Sequence, residues 1–333
     1  MGNDLSKRSL VGGSDFSEQT RLDRILAVVV TVVPTLGTAA AIALWWAGHA
    51  PAAPELITAA VLYIVTVIGL EVGFHRHLAH RAFKARPGLR AALLAAGSMA
   101  FHGPAIWWCA IHRRHHTLSD LEGDPHSPRL SGDGVWGKLK GFFHSHMGWL
   151  FTAGSTRPEN WRERVKDLYE DELVLRMHLQ YYVWLILGLI IPTAVGGFVY
   201  GNLFGALMGF LWGGMVRIFL VNQCIWSLNS LCHLIGKAHF RTRDYSKNSF
   251  TLALFTFGQG WHNNHHAFPS SAYTGLKWWQ IDFGGWVVWT LRSLGLVWDV
   301  RKPTPEMIAL KELYTSPENT SPENKTVGME DVP

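Results

Sequence analysis

Four long apolar runs constrain this chain more than any other feature of its sequence. The first has 23 residues and no charged side chain, whereas a helix needs about 20 apolar residues to cross a bilayer. Pro34 and Gly37 lie within it, and membrane helices tolerate both residue types. We therefore predict an all-α integral membrane protein with four transmembrane helices. The predicted spans are residues 25–47, 56–74, 179–200 and 203–228.

The lysine and arginine residues indicate how these spans are oriented. Segments 1–24, 75–178 and 229–333 hold 4, 15 and 10 of them, whereas segments 48–55 and 201–202 hold none. Positively charged residues are enriched on the cytoplasmic side of membrane proteins. We therefore expect both termini and the long central segment to be cytoplasmic, which agrees with an even number of spans.

A fifth apolar run, residues 91–111, is long enough to cross but is interrupted by His102, Gly103 and Pro104. If it crossed, the histidines before and after it would lie on opposite sides of the membrane. We predict that it re-enters the membrane or lies along the interface. Six tryptophans suit an aromatic belt at the headgroup level. They are Trp45, Trp46, Trp107, Trp108, Trp278 and Trp279.

The chain divides into a cytoplasmic N-terminal segment, 1–24, a membrane domain, 25–300, and a tail, 301–333. The tail is polar and carries TSPEN twice in succession, so we predict that it is largely disordered. Charged residues make up 17% of the chain and the net charge is +5, which excludes a typical nucleic-acid-binding protein. The three cysteines form no CxxC pair, which disfavours a disulfide scaffold or a zinc knuckle.

Histidines cluster just beyond the apolar runs, on the predicted cytoplasmic side. In HRRHH and HNNHH they recur at i, i+3 and i+4, which places them on one face of a helix. Imidazole binds Fe, Zn, Cu or Ni. The number of candidate ligands is too large for one ion and suits two. In FHRHLAH, helical periodicity pairs His80 with His77, because His75 lies about 140° around the helix. The sequence NSLCH adds Asn229 and His233.

The remaining histidines have a simpler interpretation. We expect His102 to be structural, and His49 lies in the predicted external loop. A His-rich metal transporter is a weaker alternative, because transporters place ligands near the bilayer midplane, where only Glu71 and Arg217 carry charge. We expect the others to be hydrogen-bonded cytoplasmic residues: His126, His144, His146, His178 and His239.

The three motifs HRHLAH, HRRHH and HNNHH together resemble the three-box signature of the integral-membrane fatty acid desaturase family. Longer segments are similar to its Δ9 acyl desaturase branch, and more so to bacterial and plant members than to animal ones. These segments are HRRHHTLSDLEGDPHSP, FFHSHMGWLF, WSLNSLCHLIG and GQGWHNNHHAFP. The resemblance runs from about residue 25 to 300. It implies four spans and a cytoplasmic helical cap that holds a His-rich di-metal centre.

The resemblance also implies which residues bind the metal ions. It selects His75 rather than His77 from the first box, against the helical periodicity. Asn229 is implied to act through a water molecule. The implied ligands of two non-haem iron ions are His75, His80, His112, His115, His116, Asn229, His233, His262, His265 and His266.

The implied reaction is O₂-dependent introduction of a cis double bond, at Δ9, into a saturated fatty acyl chain. A fatty acyl or alkane hydroxylase on the same di-iron scaffold is the alternative, and the box spacing does not separate the two. The chain shows no fused cytochrome b5 signature and no flavin- or nucleotide-binding motif. We therefore expect an external donor, ferredoxin or cytochrome b5 with its reductase. Basic residues that could guide an acidic donor are Arg113, Arg114, Lys138, Lys140, Arg162, Arg164 and Lys166.

Two departures from the family pattern concern the substrate and the metal centre. Gln259 stands where the family commonly has Glu, and partners of metal ligands tune the site. Residues 108–111 are uncharged, whereas animal acyl-CoA desaturases have charged coenzyme-contacting residues there. The acyl carrier, whether CoA, carrier protein or membrane lipid, therefore stays open, and no residue is assigned to substrate binding. The expected location is the bacterial inner membrane.

Overall fold

The computed structural model describes residues 21–152 and 162–313 and is mostly helical. One small antiparallel sheet pairs β1, Lys84–Ala85, with β2, Val297–Trp298. The helices, in chain order and without the short 3₁₀ turns, are α1 Arg21–Trp46, α2 Ala53–Ala79, α3 Pro87–Ser98, α4 Ala105–Leu118, α5 Val135–His146, α6 Lys166–Tyr169, α7 Glu172–Leu179, α8 Tyr181–Tyr200, α9 Leu203–Leu234, α10 Phe250–Phe255, α11 His262–Ala267, α12 Phe283–Ser293 and α13 Pro305–Lys311.

Four helices of the described residues, α1, α2, α8 and α9, are long and apolar enough to cross a membrane. They correspond to the four predicted spans. Two of them contain π-helical segments, Gly69–Ala79 in α2 and Phe210–Val216 in α9. A π-helix bonds residue i to i+5 and is frequent at functional sites, and the segment in α2 carries part of the first histidine box.

A tight turn joins α8 to α9, as the sequence predicts. Gly201 adopts a left-handed conformation with φ +64°, and the Asn202 side chain accepts a hydrogen bond from the Gly205 amide at 2.8 Å. A Cβ atom built at Gly209 would lie 2.1 Å from the Pro192 carbonyl. Glycine therefore allows the two spans to pack backbone against backbone, as membrane helices commonly do.

The fifth apolar run does not form one continuous helix. It is divided between α3 and α4, and the backbone between them turns at Phe101 and Gly103, both with positive φ. The buried Arg217 side chain of α9 donates to the carbonyls of Met99, at 2.6 Å, and Gly188, at 2.8 Å. This arginine therefore links the end of α3 to α8 and α9, and its charged side chain stabilises the packing of these helices.

The aromatic belt is only partly as expected. Trp46 and Trp278 are 85% and 97% exposed, as a belt requires. The prediction is wrong for Trp108, which is 8% exposed and packs edge-on against Phe74. Trp107 instead stacks on Trp149, with ring centroids 5.9 Å apart.

The chain after β2 contains more structure than the sequence predicts for the tail. Residues 301–313 include α13, and Glu312 pairs in a β-bridge with Phe240 and accepts a hydrogen bond from Lys277. This part of the tail is thus ordered, and the prediction that the tail is largely disordered stays a prediction. The rest of it, 314–333, and the N-terminal residues 1–20 lie outside the described residues.

Candidate metal centre

Five histidines form the first of two groups, which we call group one. They come from the end of α2, from α4 and from α11, so three distant parts of the chain meet here. One ring nitrogen from each lies within 4.8 Å of the others, which is close enough to hold a metal ion. The members of group one are His75, His80, His112, His116 and His265.

The π-helical backbone explains how the first box contributes two of these residues. In an α-helix His75 and His80 would diverge, but the π-helix brings residues five apart onto one side. Their ring centroids are 4.8 Å apart. His77 lies outside both groups, and its Nδ1 is 3.1 Å from the Phe83 carbonyl oxygen. The expectation from α-helical periodicity is therefore wrong, and the family resemblance selects the residue that joins the group.

Four other histidines form group two, and again their ring nitrogens lie within 4.8 Å of one another: His115, His233, His262 and His266. Each HxxHH box supplies both groups. In HRRHH the i and i+4 residues join group one and the middle residue joins group two, whereas in HNNHH the assignment is reversed. The sequence predicts that the boxes converge, but not this reciprocal division.

Buried carboxylates accept hydrogen bonds from the Nδ1 atoms of four of the nine rings. The four pairs are His75–Glu71 at 2.8 Å, His115–Asp124 at 3.0 Å, His233–Asp120 at 2.8 Å and His266–Asp244 at 2.6 Å, with Nδ1 donating in each. Such a bond fixes the tautomer and leaves Nε2 free to bind a metal ion. Sequence reasoning missed these acids, although Glu71 precedes His75 by one helical turn.

A further ion-pair network supports Glu71. The Arg76 guanidinium, only 1% exposed, donates to Glu71 at 2.8 Å through Nε and to Asp282 at 2.7 Å through Nη2. Asp282 caps α12 by accepting from the Gly285 amide. The arginine of the first box thereby connects α2 to α12, and both of its carboxylate partners remain paired although buried.

Burial favours the neutral form of several of these rings. Burial, reinforced by the neighbouring rings, lowers the pKa of His112, His116, His262 and His265 well below the usual value. Burial opposes the ionisation of Asp124, but the charge and hydrogen bond of His115 outweigh it and hold the pKa of Asp124 below its usual range. Neutral imidazoles are the form that binds metal.

The donor atoms of both groups fit a bound cation at each centre. Within the described residues, Nε2 of His115 and of His266 is buried and has no hydrogen-bond partner. His75 Nε2 lies 3.0 Å from His265 Nε2, and His233 Nε2 lies 3.0 Å from His262 Nε2. Because His75 and His233 donate through Nδ1, their Nε2 atoms present lone pairs. Lone pairs directed at a neighbouring ring nitrogen are suited to sharing a bound cation, as metal-ligating imidazoles do.

Comparison with known proteins then places the chain in a family. Residues 55–289 match the protein-family model described as fatty acid desaturase. The chain belongs to the fatty acid desaturase family. It is accordingly an oxidoreductase, and its four apolar helices and paired histidine groups fit a membrane-bound, metal-dependent desaturase.

Several curated relatives of this desaturase have specific names. A hex-5-enoyl-[acyl-carrier protein] acetylenase of Moorena producens is 44% identical over 86% of this chain and 88% of its own. The Delta-9 acyl-lipid desaturase 1 of Arabidopsis thaliana is 36% identical over 75% of this chain and 76% of its own. The sn-1 stearoyl-lipid 9-desaturase of Synechocystis is 34% identical, covering 75% and 73% respectively.

Two neighbouring cavities lie close to the histidine groups of the desaturase. The outer cavity, about 320 Å³, lies between the ends of α1 and α8 and is lined mainly by apolar and aromatic side chains, among them Leu26 and Tyr182. The inner chamber, about 30 Å³, touches members of both histidine groups. The two share three lining residues, which are His102, Trp107 and Trp149.

The inner chamber also places the remaining predicted residues. Asn229 and Gln259 line it beside His115 and His262, so Asn229 is in position for its expected role through a water molecule, which stays a prediction. The Gln259 Nε2 atom is buried without a partner among the described residues. His126, which we expected to be hydrogen-bonded, instead has a buried Nδ1 without a partner among the described residues. It lines the chamber and lies against His115 with ring centroids 4.4 Å apart.

The other histidines expected to be hydrogen-bonded are so. His144 Nε2 lies 3.2 Å from the Pro125 carbonyl oxygen, and His146 contacts Ser230 and Gln223 of α9. His178 and His239 each contact an amide group. His102 is hydrogen-bonded to Asn222 at 3.2 Å, and its burial lowers its pKa to about 4. This contact agrees with the predicted structural role, and His102 also lines both cavities.

Proposed function

We propose that this desaturase introduces a cis double bond into a saturated fatty acyl chain, using O₂, two iron ions and electrons from an external donor. The observation that carries the proposal is the pair of histidine groups around a small chamber that shares lining residues with an apolar cavity. No side chain can remove hydrogen from an unactivated methylene. Two iron ions, when bound, supply the O₂-dependent oxidation that removes one hydrogen from each of two adjacent carbons.

The residues of the chain divide the remaining work between them. We propose that the five rings of group one and the four of group two, with Asn229 through a water, hold one ion each. Glu71, Asp120, Asp124 and Asp244 orient rings by accepting from Nδ1. The apolar cavity binds the acyl chain and excludes water, which keeps the oxidation confined to the substrate.

The electron donor and the orientation belong to the same proposal. We propose that the protein lies in the bacterial inner membrane with its histidine groups and both termini on the cytoplasmic side. The segments that hold them are rich in lysine and arginine, which are enriched on that side. Ferredoxin or cytochrome b5 would dock from that side. Lys138, Lys140, Arg162 and Lys166 are exposed and could attract an acidic donor.

Two other basic residues are engaged elsewhere. Arg113 donates to Asp167 and to the backbone carbonyls of Leu78 and Ala79, and Arg114 is 7% exposed and donates to the Gly123 carbonyl. They support the fold around the second box rather than a docking surface. Both therefore leave the predicted set of docking residues, in which the exposed lysines, Arg162 and the half-buried Arg164 remain.

The bond position and the acyl carrier have two candidates. The relatives named Delta-9 acyl-lipid and stearoyl-lipid 9-desaturase support a Δ9 bond in a lipid-bound chain. The relative named hex-5-enoyl-[acyl-carrier protein] acetylenase, at 44% identity, supports a second candidate. In that case the enzyme would oxidise a chain carried by a protein, and would act on a carbon–carbon double bond.

Product analysis tests the proposal directly. Membranes containing the protein are supplied with iron, a reducing system and saturated acyl substrates, and the products are analysed by mass spectrometry. Loss of two hydrogens supports desaturation, whereas gain of one oxygen supports the alternative hydroxylase. Protein with His112→Ala serves as the control for activity from the host membranes. A metal-loaded protein that forms neither product would refute the proposed function.

A further inference from the structure

One face of α12 exposes large apolar side chains. Trp286 and Trp289, which lie one helical turn apart, are 56% and 61% exposed, and Leu294 just after the helix is 66% exposed. Trp298 in β2 is exposed as well. None of these three tryptophans belongs to the aromatic belt that the sequence predicts. An exposed apolar patch of this kind marks a surface that meets a partner or a membrane.

The opposite face of α12 packs on the span α2. Val288 belongs to the same buried cluster as Val72 of α2, and Ile68 of α2 packs against that cluster. The contact is close, because a Cβ atom built at Gly284 would lie 3.0 Å from the Cγ atom of Glu71. This packing fixes α12 beside one short stretch of α2.

That stretch of α2 lies within the predicted membrane span, which begins at Leu56. Ile68 lies about 18 Å along the helix from Leu56, at about 1.5 Å per residue. Because the apolar core of a bilayer is about 30 Å thick, Ile68 lies beyond its midplane, in the leaflet nearer the histidine groups. The helix α12 packs at this level and therefore lies at the depth of that leaflet.

The outer face of α12 continues the lipid-facing surface of α2. Ile57, Val61 and Ile64 recur at helical spacing on one face of α2 and are 61%, 52% and 45% exposed. The next residue on that face, Ile68, packs instead against the cluster that contains Val288. Where α12 covers α2, its own outer face thus takes the place of the lipid-facing surface.

The side chains of this face suit the boundary between acyl chains and headgroups. Tryptophan is enriched there, because its ring is apolar and its indole N–H is polar. Arg292 in the last turn of α12 is exposed, and so is Arg86, whose Nε atom donates to the Gly295 carbonyl at 3.2 Å. Such long cationic side chains cover apolar surface with their stems and reach lipid phosphates with their charged ends.

We propose that α12 is a lipid-binding helix embedded just beneath the headgroups of the leaflet nearer the histidine groups, with Trp286 and Trp289 in contact with phospholipid. An amphipathic helix of this composition lies in the plane of the interface. The first turn of the same helix supports the metal centre, since Asp282 accepts from Arg76 beside the first histidine box. The surface goes beyond the proposed reaction and does not depend on which oxidation the enzyme performs.

Spin labels on the full chain in phospholipid nanodiscs test this proposal. A nitroxide is attached to Trp289→Cys, and its collisions are measured with O₂, which concentrates in the bilayer, and with a water-soluble nickel chelate. We expect this label to collide severalfold more often with O₂ than with the chelate. Leu36→Cys on α1 provides the reference for a lipid-facing site, since Leu36 is 64% exposed within a span.

An exposed apolar residue elsewhere in the protein is the matched control. Leu310 is 82% exposed on α13, and its neighbour Lys311 donates to the carbonyl of Ala267 in α11. We expect the label at Leu310→Cys to prefer the chelate. The signal of the unsubstituted protein, in which Cys109 and Cys232 are buried, is subtracted from each measurement.

Two other results would overturn the proposal. A label at Trp289→Cys that meets the chelate as readily as the label at Leu310→Cys would show that this face is in water. Shielding from both reagents would show that protein, such as a second copy of the chain, covers it. Trp286→Cys provides a second site on the same face if the first variant does not assemble. Neither result bears on the reaction, so a failure here is distinguishable from a failure of the proposed function.

Discussion

The backbone amide of His80 donates a hydrogen bond to the carbonyl of His75, five residues earlier, at 3.1 Å. This single π-type bond belongs to the segment that brings both imidazoles to one metal group. In a regular α-helix the partner of the His80 amide would be Arg76. The Arg76 carbonyl instead accepts from the Ala82 amide at 2.8 Å, and the Arg76 side chain donates to Glu71 and Asp282. The π-helical segment thus holds both a ligand candidate and the arginine of the supporting ion pair.

The first prediction separates the two histidines that the sequence offers in this box. His75→Ala should lose bound metal, because its Nε2 faces His265 in group one, whereas His77→Ala should retain it. Metal content of the purified proteins, measured by elemental analysis, distinguishes them. The reverse pattern would mean that the ligand assignment of the first box is wrong.

The second prediction concerns group one as a whole. His112→Ala, His116→Ala and His265→Ala should each reduce desaturation to background, because each removes a ring nitrogen from the same centre. The variants should remain in the membrane fraction, since the spans are unaffected. Fatty acid profiles of the expressing cells, with immunoblots of their membranes, provide the measurement. Full activity in any one of them contradicts its role as a ligand.

The third prediction concerns the carboxylates behind the rings. Asp244→Asn should weaken metal binding about 10–100-fold, as loss of such partners typically does, because Asp244 accepts from His266 Nδ1. Asp299→Asn is the matched control, since the exposed Asp299 forms an ion pair with the exposed Lys84. Competition with a metal-binding dye measures the affinity. Equal affinities in the two variants would exclude this role for Asp244.

The fourth prediction concerns the departure from the family pattern at residue 259. Gln259→Glu should retain activity, because the residue lines the inner chamber but its amide nitrogen has no partner among the described residues that the substitution would abandon. Product yield normalised to metal content tests this. A metal-loaded but inactive variant would show that a negative charge in the chamber is harmful.

The fifth prediction addresses the buried ion pairs. Asp282→Ala should destabilise the protein by about 3–5 kcal/mol, as removal of one partner from a buried pair does, because Arg76 keeps only Glu71 as an acidic partner. Lys84→Ala removes an exposed pair and should change stability little. Thermal unfolding in detergent compares the two. Similar midpoints would show that Arg76 is satisfied without Asp282.

Much of this arrangement follows from the sequence because it depends on local pattern. The spans follow from uninterrupted apolar length, and the HxxHH boxes from the helical spacing of their residues. The choice between His75 and His77 could not be made from α-helical geometry, because tertiary packing stabilises a π-helix in α2. Only the family resemblance selected His75.

Contacts between distant residues were beyond the sequence. The division of each box between two groups depends on how α4 and α11 face each other, and neither helix encodes this by itself. Asp120 bonds to His233 and Asp244 bonds to His266, and in both pairs the two residues are far apart in the sequence. No short motif therefore marks these acids. Trp108 reads as an interfacial tryptophan in sequence, yet it is buried because α2 supplies Phe74 and the second box supplies His112.

The reciprocal use of the two HxxHH boxes has a consequence for how the enzyme is assembled. Since α4 and α11 each reach both centres within one helical turn, ordering either helix around a first ion also brings its remaining rings toward the second. Uptake of the two ions should therefore be cooperative, with little half-loaded protein at intermediate iron supply. The spacing between the ions would likewise be set by rigid helical backbone rather than by adjustable loops.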